Sequence, residues 1–265
     1  MALQLPVAMW SCAWFHTAMR KLRAAALLIV VLGLTLSAQT TRRNYGKIQT
    51  YLYKVSFIQA APGKLLELID LQKERNTRKD SGDEPALWMR HSQGDRWDLM
   101  ILYPVGEYSE YYKPERIAKR SGADTNPTAF NADIAWREDI FVYGPPLGEV
   151  KKNWDGAGFF HVEIFQSLPG KQSELFKERE MENDYLAKLN QPTNLIFTRD
   201  QGAAWDCFTI GFYRDLQHYA EIAKTTPEDT DKAAKAAGFE SAKHIGPYLR
   251  TLIALHHDTL AVAVK

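Results

Sequence analysis

Cysteine is scarce in this chain of 265 residues: only Cys12 and Cys207 are present. Two cysteines allow one intrachain disulfide at most, which excludes a disulfide-stapled scaffold. Charge bias is also missing, because 33 Lys and Arg stand against 32 Asp and Glu for a formal net charge of +1. A nucleic-acid binder normally carries a basic excess, so no nucleic-acid partner is expected. There is no G-x-G-x-x-G, no Walker A run and no G-x-S-x-G elbow. Those absences remove the common dinucleotide-binding, P-loop and α/β-hydrolase classes.

One absence is local. Residues 1–38 contain no acid but carry Arg20, Lys21 and Arg23, followed by the apolar run Ala24–Leu36 and the small residues Ser37 and Ala38. Positive region, short apolar region and small residues at the cut form the pattern of a secretory signal peptide. At about 13 residues the run is too short to span a bilayer as a helix. The expectation is a signal over 1–38 (with translation from Met19 accounting for the unusual residues before it) and a periplasmic or secreted protein. Residues 39–49 then form an N-terminal segment, and no stable membrane span remains after cleavage. Without the leader the basic count falls by three to 30 against 32 acids, and Cys207 is the one cysteine left. The exported core must hold together without a disulfide.

What the sequence does have is itself, twice. Tyr53–Gln59 leads to Pro62-Gly63-Lys64, and Phe160–Gln166 leads to Pro169-Gly170-Lys171, 107 residues on (64 to 171). Gln93-Gly94 followed by Trp97-Asp98 returns as Gln201-Gly202 followed by Trp205-Asp206. Tyr111 pairs with Tyr219, and Ile134-Ala135 with Asp139 returns as Ile253-Ala254 with Asp258. Four anchors in one order establish an internal duplication, repeat 1 over 50–144 and repeat 2 over 157–265, joined by a linker over 145–156. Repeat 2 carries an insertion of about eleven residues, with a helix-prone stretch over Asp229–Phe239.

Each repeat alternates apolar and polar residues in its first strand, turns through Pro-Gly-Lys into an amphipathic helix, and continues with two strands around a Gly turn. A second helix, expected over 106–117 and 215–223, precedes a last strand. The order β-α-β-β-α-β is the ferredoxin-like split unit. The fold class is therefore α+β: two tandem ferredoxin-like repeats whose sheets pair into a pseudo-dimeric α+β barrel. In the strand–Pro-Gly-Lys–helix openings, the Trp-Asp strands and the tandem order, the chain resembles the dimeric α+β barrel superfamily. Its antibiotic-biosynthesis-monooxygenase-like, EthD-like and NIPSNAP-like groups are nearest in style. The resemblance implies an architecture shared by cofactor-free oxygenases, haem enzymes, isomerases and stress proteins; it does not choose an activity.

For the site, we place Tyr53, Val55 and Phe57 toward the helices, so that Lys54, Ser56 and Ile58 enter the barrel. The corresponding residues of repeat 2 are His161, Glu163 and Phe165. His161 and Glu163, two apart on one strand, project the same way and form the candidate acid–base pair. Arg137 with Asp139 and His256 with Asp258 share faces on the last strands, and Arg137 and His256 complete the expected ligand pocket. Metal ligation needs a third donor, which no Cys or H-x-x-H spacing supplies, so no metal and no cofactor is assigned. Haem stays open, because a proximal histidine needs no local motif; His161, His256 and His257 are its candidates. The expected function is an exported barrel of unspecified activity that binds a small apolar or aromatic ligand between its sheets. If it is an enzyme, its class is a cofactor-independent monooxygenase-like or isomerase-like one. The alternative is a non-enzymatic envelope or stress-related protein with a filled core. Monomer and homodimer are both open.

Overall fold

The computed structural model describes residues 50–77, 82–123, 127–221 and 225–264. The expected signal and N-terminal segment lie outside the described residues. Among the described residues no helix is long and apolar enough to cross a membrane.

The first half runs β1 (Tyr51–Ala60), α1 (Leu65–Thr77), β2 (Leu87–Gln93), β3 (Leu99–Gly106), α2 (Tyr108–Tyr111), α3 (Pro114–Ala123), α4 (Pro127–Ala132) and β4 (Ile134–Gly144). After α5 (Leu147–Trp154) the order returns as β5 (Phe159–Ser167), α6 (Gln172–Lys188), β6 (Leu195–Gln201), β7 (Cys207–Tyr213), α7 (Leu216–Glu221), α8 (Pro227–Ala236), α9 (Ile245–Arg250) and β8 (Ile253–Ala263). The helix expected over 106–117 is two helices. Pro114 lacks an N–H and suits a first helical position, so it opens α3 and cannot continue α2. Within the linker, residues 147–154 form α5, whose Val150 is fully buried.

Eight strands close in the order β1-β3-β2-β8-β5-β7-β6-β4, with each neighbouring pair antiparallel. Each half contributes a four-stranded sheet of the split unit, and the halves join at β2–β8 and β4–β6. Both Gln-Gly turns sit at these seams. A Cβ on Gly94 (φ +121°) would stand 2.2 Å from the Asp258 carbonyl oxygen. One on Gly202 (φ +115°) would stand 2.6 Å from Ile140 Cγ2. Only glycine combines that φ with that approach.

The alternation along the strands is as expected, but its two faces are exchanged. Tyr53, Val55 and Phe57 join Phe160, Val162, Ile164, Phe197 and Phe208 of the other half in one buried cluster. Tyr53 meets Phe197 at 5.6 Å and Phe57 meets Trp205 at 6.0 Å, ring to ring. These residues fill the barrel interior. Lys54, Ser56 and Ile58, and likewise His161, Glu163 and Phe165, face outward to the helices: Ile58 packs with Leu68 and Ile69 of α1, and Phe165 with Leu175 of α6. The expectation that they enter the barrel is corrected. The reason is that the closed interior is shut off from water on all sides and takes the more apolar face of each strand.

The repeated Trp-Asp pairs are structural. Trp97 and Trp205 belong to the interior cluster. Asp98 accepts the Ala60 N–H (2.8 Å), and Asp206 accepts the Ser167 N–H (2.9 Å) and hydroxyl (2.7 Å). Each carboxylate thus satisfies the backbone where its first strand leaves the ladder in a bulge. A second repeated clamp is an asparagine on each long helix. The Asn76 side chain both accepts from and donates to the Ala86 backbone, and Asn183 does the same to Asn194.

Candidate functional site

The helix-facing side of the second half gathers the ionisable residues. β5 presents His161 and Glu163, and its antiparallel neighbour β8 presents His256 and Asp258, with Glu163 opposite Asp258 in register. The period of two on both strands puts all four side chains on one face. His161 Nε2 lies 3.1 Å from Asp258 Oδ1, and His256 Nε2 lies 3.4 Å from Glu163 Oε1 and 3.5 Å from Asp258 Oδ1. The His256 ring stacks on Phe165 with centroids 4.6 Å apart and planes 9° from parallel. The exposure is graded: the Asp258 side chain is 59% exposed, those of His161 and His256 are 19% and 20%, and that of Glu163 is 10%.

Glu163 is held from behind. Thr209 Oγ1 on β7 donates to Glu163 Oε2 (2.9 Å), and Arg179 Nη1 on α6 lies 3.7 Å from the same oxygen. Arg179 is itself buried. Its Nε and Nη2 donate to Glu178 (2.6 and 2.7 Å), its Nη1 meets Glu182 at 2.5 Å, and its guanidinium carbon is 4.7 Å from the Phe165 ring centroid. Glu178, Arg179 and Glu182 lie on the stripe of α6 that begins with Leu175, where helix spacing turns them to the sheet. Met181 and Tyr185 take another side of α6 and pack on Ala234, Ala237 and Phe239 of the insertion.

Burial by itself would raise the Glu163 pKa. The His256 and Thr209 hydrogen bonds and the charges of Arg179 and His161 outweigh it and hold the carboxyl well below its usual range. For His161 burial opposes protonation, but the Asp258 hydrogen bond and the Glu163 charge prevail, and its pKa is raised. Glu178 and Glu182 are both raised, chiefly by burial, with Arg179 opposing. The Glu182 side chain keeps about a quarter of its surface in water, which limits the effect there.

The first half carries the corresponding cluster with different chemistry. Lys54 stands where the second half has His161, Ser56 where it has Glu163, Gln72 where it has Arg179, and Arg137-x-Asp139 where it has His256-x-Asp258. Arg137 grips Asp139 through Nε (2.9 Å) and Nη2 (2.8 Å), and the Ser56 hydroxyl donates to the same carboxylate. Lys54 Nζ is 3.9 Å from Asp139 and 4.9 Å from the Tyr103 ring centroid, and burial lowers its pKa.

The expected site residues therefore divide into two groups on opposite halves rather than one group between the sheets. Lys54, Ser56 and Arg137 meet in the first half, and His161, Glu163, Phe165 and His256 in the second. Ile58 is core under α1. Thr209, Glu178, Arg179 and Glu182 escaped the sequence reading; the signal was charged residues at helical spacing from Leu175. His257 points elsewhere, its Nδ1 lying 3.5 Å from Asp95. As for haem, an axial ligand needs an imidazole nitrogen turned to open space. The Nε2 atoms of His161 and His256 are turned to carboxylates and His257 Nδ1 to Asp95, which leaves the other ring nitrogen of each as the one an iron could take. Cys207 is a buried free thiol pushed up to about 12 by desolvation, with no nucleophilic character.

No family model matches the sequence, and no curated protein matches it. Solved structures do. An anthrone oxidase-like protein superposes with a TM-score of 0.52 at 13% identity, over 82% of this chain and 92% of that one. A candidate monooxygenase from Lactobacillus acidophilus NCFM follows at 0.48 and 8%, over 81% and 94%. A chlorite dismutase from Candidatus Nitrospira defluvii follows at 0.43 and 8%, over 84% and 95%. The chain has the dimeric α+β barrel fold, with both halves in one polypeptide.

Proposed function

We propose that this single-chain α+β barrel binds a small ligand, apolar or aromatic in body, against the helix-facing side of its second half. There His161 and Glu163, with Asp258 and His256, form the reactive end of the site. The observation that carries this reading is the His161–Asp258 contact at 3.1 Å on a partly exposed strand face, with the buried Glu163 anion beside it. A carboxylate on Nε2 fixes the tautomer in which Nε2 bears the proton and Nδ1 keeps its lone pair. An imidazole so oriented can take a proton from a ligand at Nδ1, with the imidazolium stabilised by two carboxylates, and return it. That is the chemistry of enolisation and isomerisation, and of the deprotonation that opens cofactor-independent oxygenation.

The barrel interior takes aromatic and aliphatic side chains from both halves; if the second-half cluster proves inert, that packing favours the non-enzymatic reading. The leader-like pattern over 1–38 supports export to the periplasm or beyond. Because one chain supplies both sheets, the monomer is sufficient for the fold.

Native mass spectrometry of the protein recovered from the exported fraction tests the site. A co-purifying small molecule is expected with the unaltered chain and lost with His161→Ala and with Glu163→Gln. A ligand retained equally by both variants would move the site elsewhere.

A further inference from the structure

We propose that the second half binds a divalent first-row metal ion of the zinc type between β5 and β8, held by His161 Nε2, His256 Nε2, Glu163 Oε1 and Asp258 Oδ1. The proposal rests on the reading of this cluster as the ligand site; on binding, the ion displaces the proton that Asp258 otherwise holds on His161 Nε2.

The third and fourth donors, which no spacing along one strand supplies, come from pairing: H-x-E on β5 lies beside H-x-D on β8. Donor atoms of His161, Glu163 and Asp258 all lie within 4.8 Å of one another. The two separations from His256 Nε2, 3.4 Å to Glu163 Oε1 and 3.5 Å to Asp258 Oδ1, bring in the fourth donor. Four donors set tetrahedrally at about 2.0–2.1 Å from a zinc-type ion stand about 3.3–3.5 Å from each other. Imidazole–carboxylate hydrogen bonds are normally shorter, about 2.7–2.9 Å. His256 Nε2 is buried and faces two carboxylates at the longer of these spacings.

The surroundings suit a cation. Glu163, Glu178 and Glu182 surround one Arg179 and Asp258 lies beside the two imidazoles, so a divalent ion offsets excess negative charge there. Glu163 divides its oxygens, since Thr209 and Arg179 hold Oε2 and leave Oε1 toward His256. Stacking on Phe165 fixes the His256 ring. Such outer partners orient ligands at known metal centres. The Asp258 side chain, open to water, gives the ion its way in. Two imidazoles and two carboxylates suit zinc, cobalt(II) or iron(II) better than magnesium or calcium, which prefer oxygen alone.

Full-length protein stripped with a chelator is titrated with Zn2+ by calorimetry and with Co2+ by visible absorption. One ion per chain is expected, with the intense visible bands of four-coordinate Co2+. Asp258→Asn, with folding checked by the thermal melt of the apoprotein, and His161→Ala should each weaken Zn2+ binding on the order of a hundredfold. His257→Ala should leave it unchanged. The proposal is overturned if the unaltered chain takes up no ion, or if stoichiometric binding survives both substitutions. Small-molecule binding that needs His161 in a protein that takes up no ion removes the ion and keeps the site. Ion binding without any small-molecule ligand does the reverse.

Discussion

Arg179→Met is the perturbation that tests the second-half cluster most directly. Arg179 has 2% of its surface exposed and is the one cation among three acids, Glu163, Glu178 and Glu182, that its guanidinium reaches within 3.7 Å. Methionine fills a similar volume, so the change isolates charge from packing. Removing one partner of a buried ion pair leaves the other uncompensated, at a cost of about 3–5 kcal/mol. For a domain of this size that lowers Tm by roughly 6–20 °C. Urea denaturation at pH 7 and pH 5 is the assay. Glu178 and Glu182 already have raised pKa values, so in the variant they take up protons as pH falls and the penalty should shrink. Adding Glu178→Gln to Arg179→Met should recover part of the loss at pH 7. A loss below about 1 kcal/mol at pH 7, or one equal at both pH values, would refute the view that Arg179 acts through charge.

Further predictions concern the seams, the clamps and pH. Gly94→Ala forces a Cβ onto the Asp258 carbonyl and should cost about 2 kcal/mol or more while displacing Asp258; loss of ligand binding together with stability, followed by calorimetry, is the expected result. Asn183→Ala leaves the Asn194 backbone N–H and C=O unpaired and should cost about 1–3 kcal/mol in chemical denaturation. His161 has a raised folded pKa, so its stabilising contribution is complete below its unfolded value of 6.5 and fades as pH rises through the folded value. His161→Ala should therefore destabilise the protein more at pH 6 than at pH 9. Glu163 behaves oppositely: its contribution is present above 4.5 and is lost as pH falls toward 2, so Glu163→Gln should cost less at pH 3 than at pH 7.

The duplication, the strand order and the split-unit topology were legible because they rest on period-two alternation and turn chemistry, which are local. The direction of each face was not. The sequence Tyr53-Lys54-Val55-Ser56-Phe57-Ile58 separates two faces but does not say which layer covers which, and Ile58 on the polar face blurs the contrast further. The deciding quantity is dryness. A closed barrel admits no water, whereas the sheet–helix layer is open at its rim and tolerates Lys54, His161 and Glu163. His161 and Glu163 were found because strand spacing puts them together. Arg179 was missed because a charged helix run ordinarily faces solvent; here the stripe it shares with Leu175 is turned under the helix.

The strand that completes the barrel, β8, is made after the other seven. β8 pairs with β2, about 170 residues earlier in the chain, and with β5. Closure therefore waits for β8 to be synthesised, and such distant pairing forms slowly. A chain shortened before β8 would expose the edges of β2 and β5 together, inviting strand addition from other molecules. It would lose His256 and Asp258 in the same cut. Synthesis of β8, protection from aggregation and assembly of the site are thus a single event.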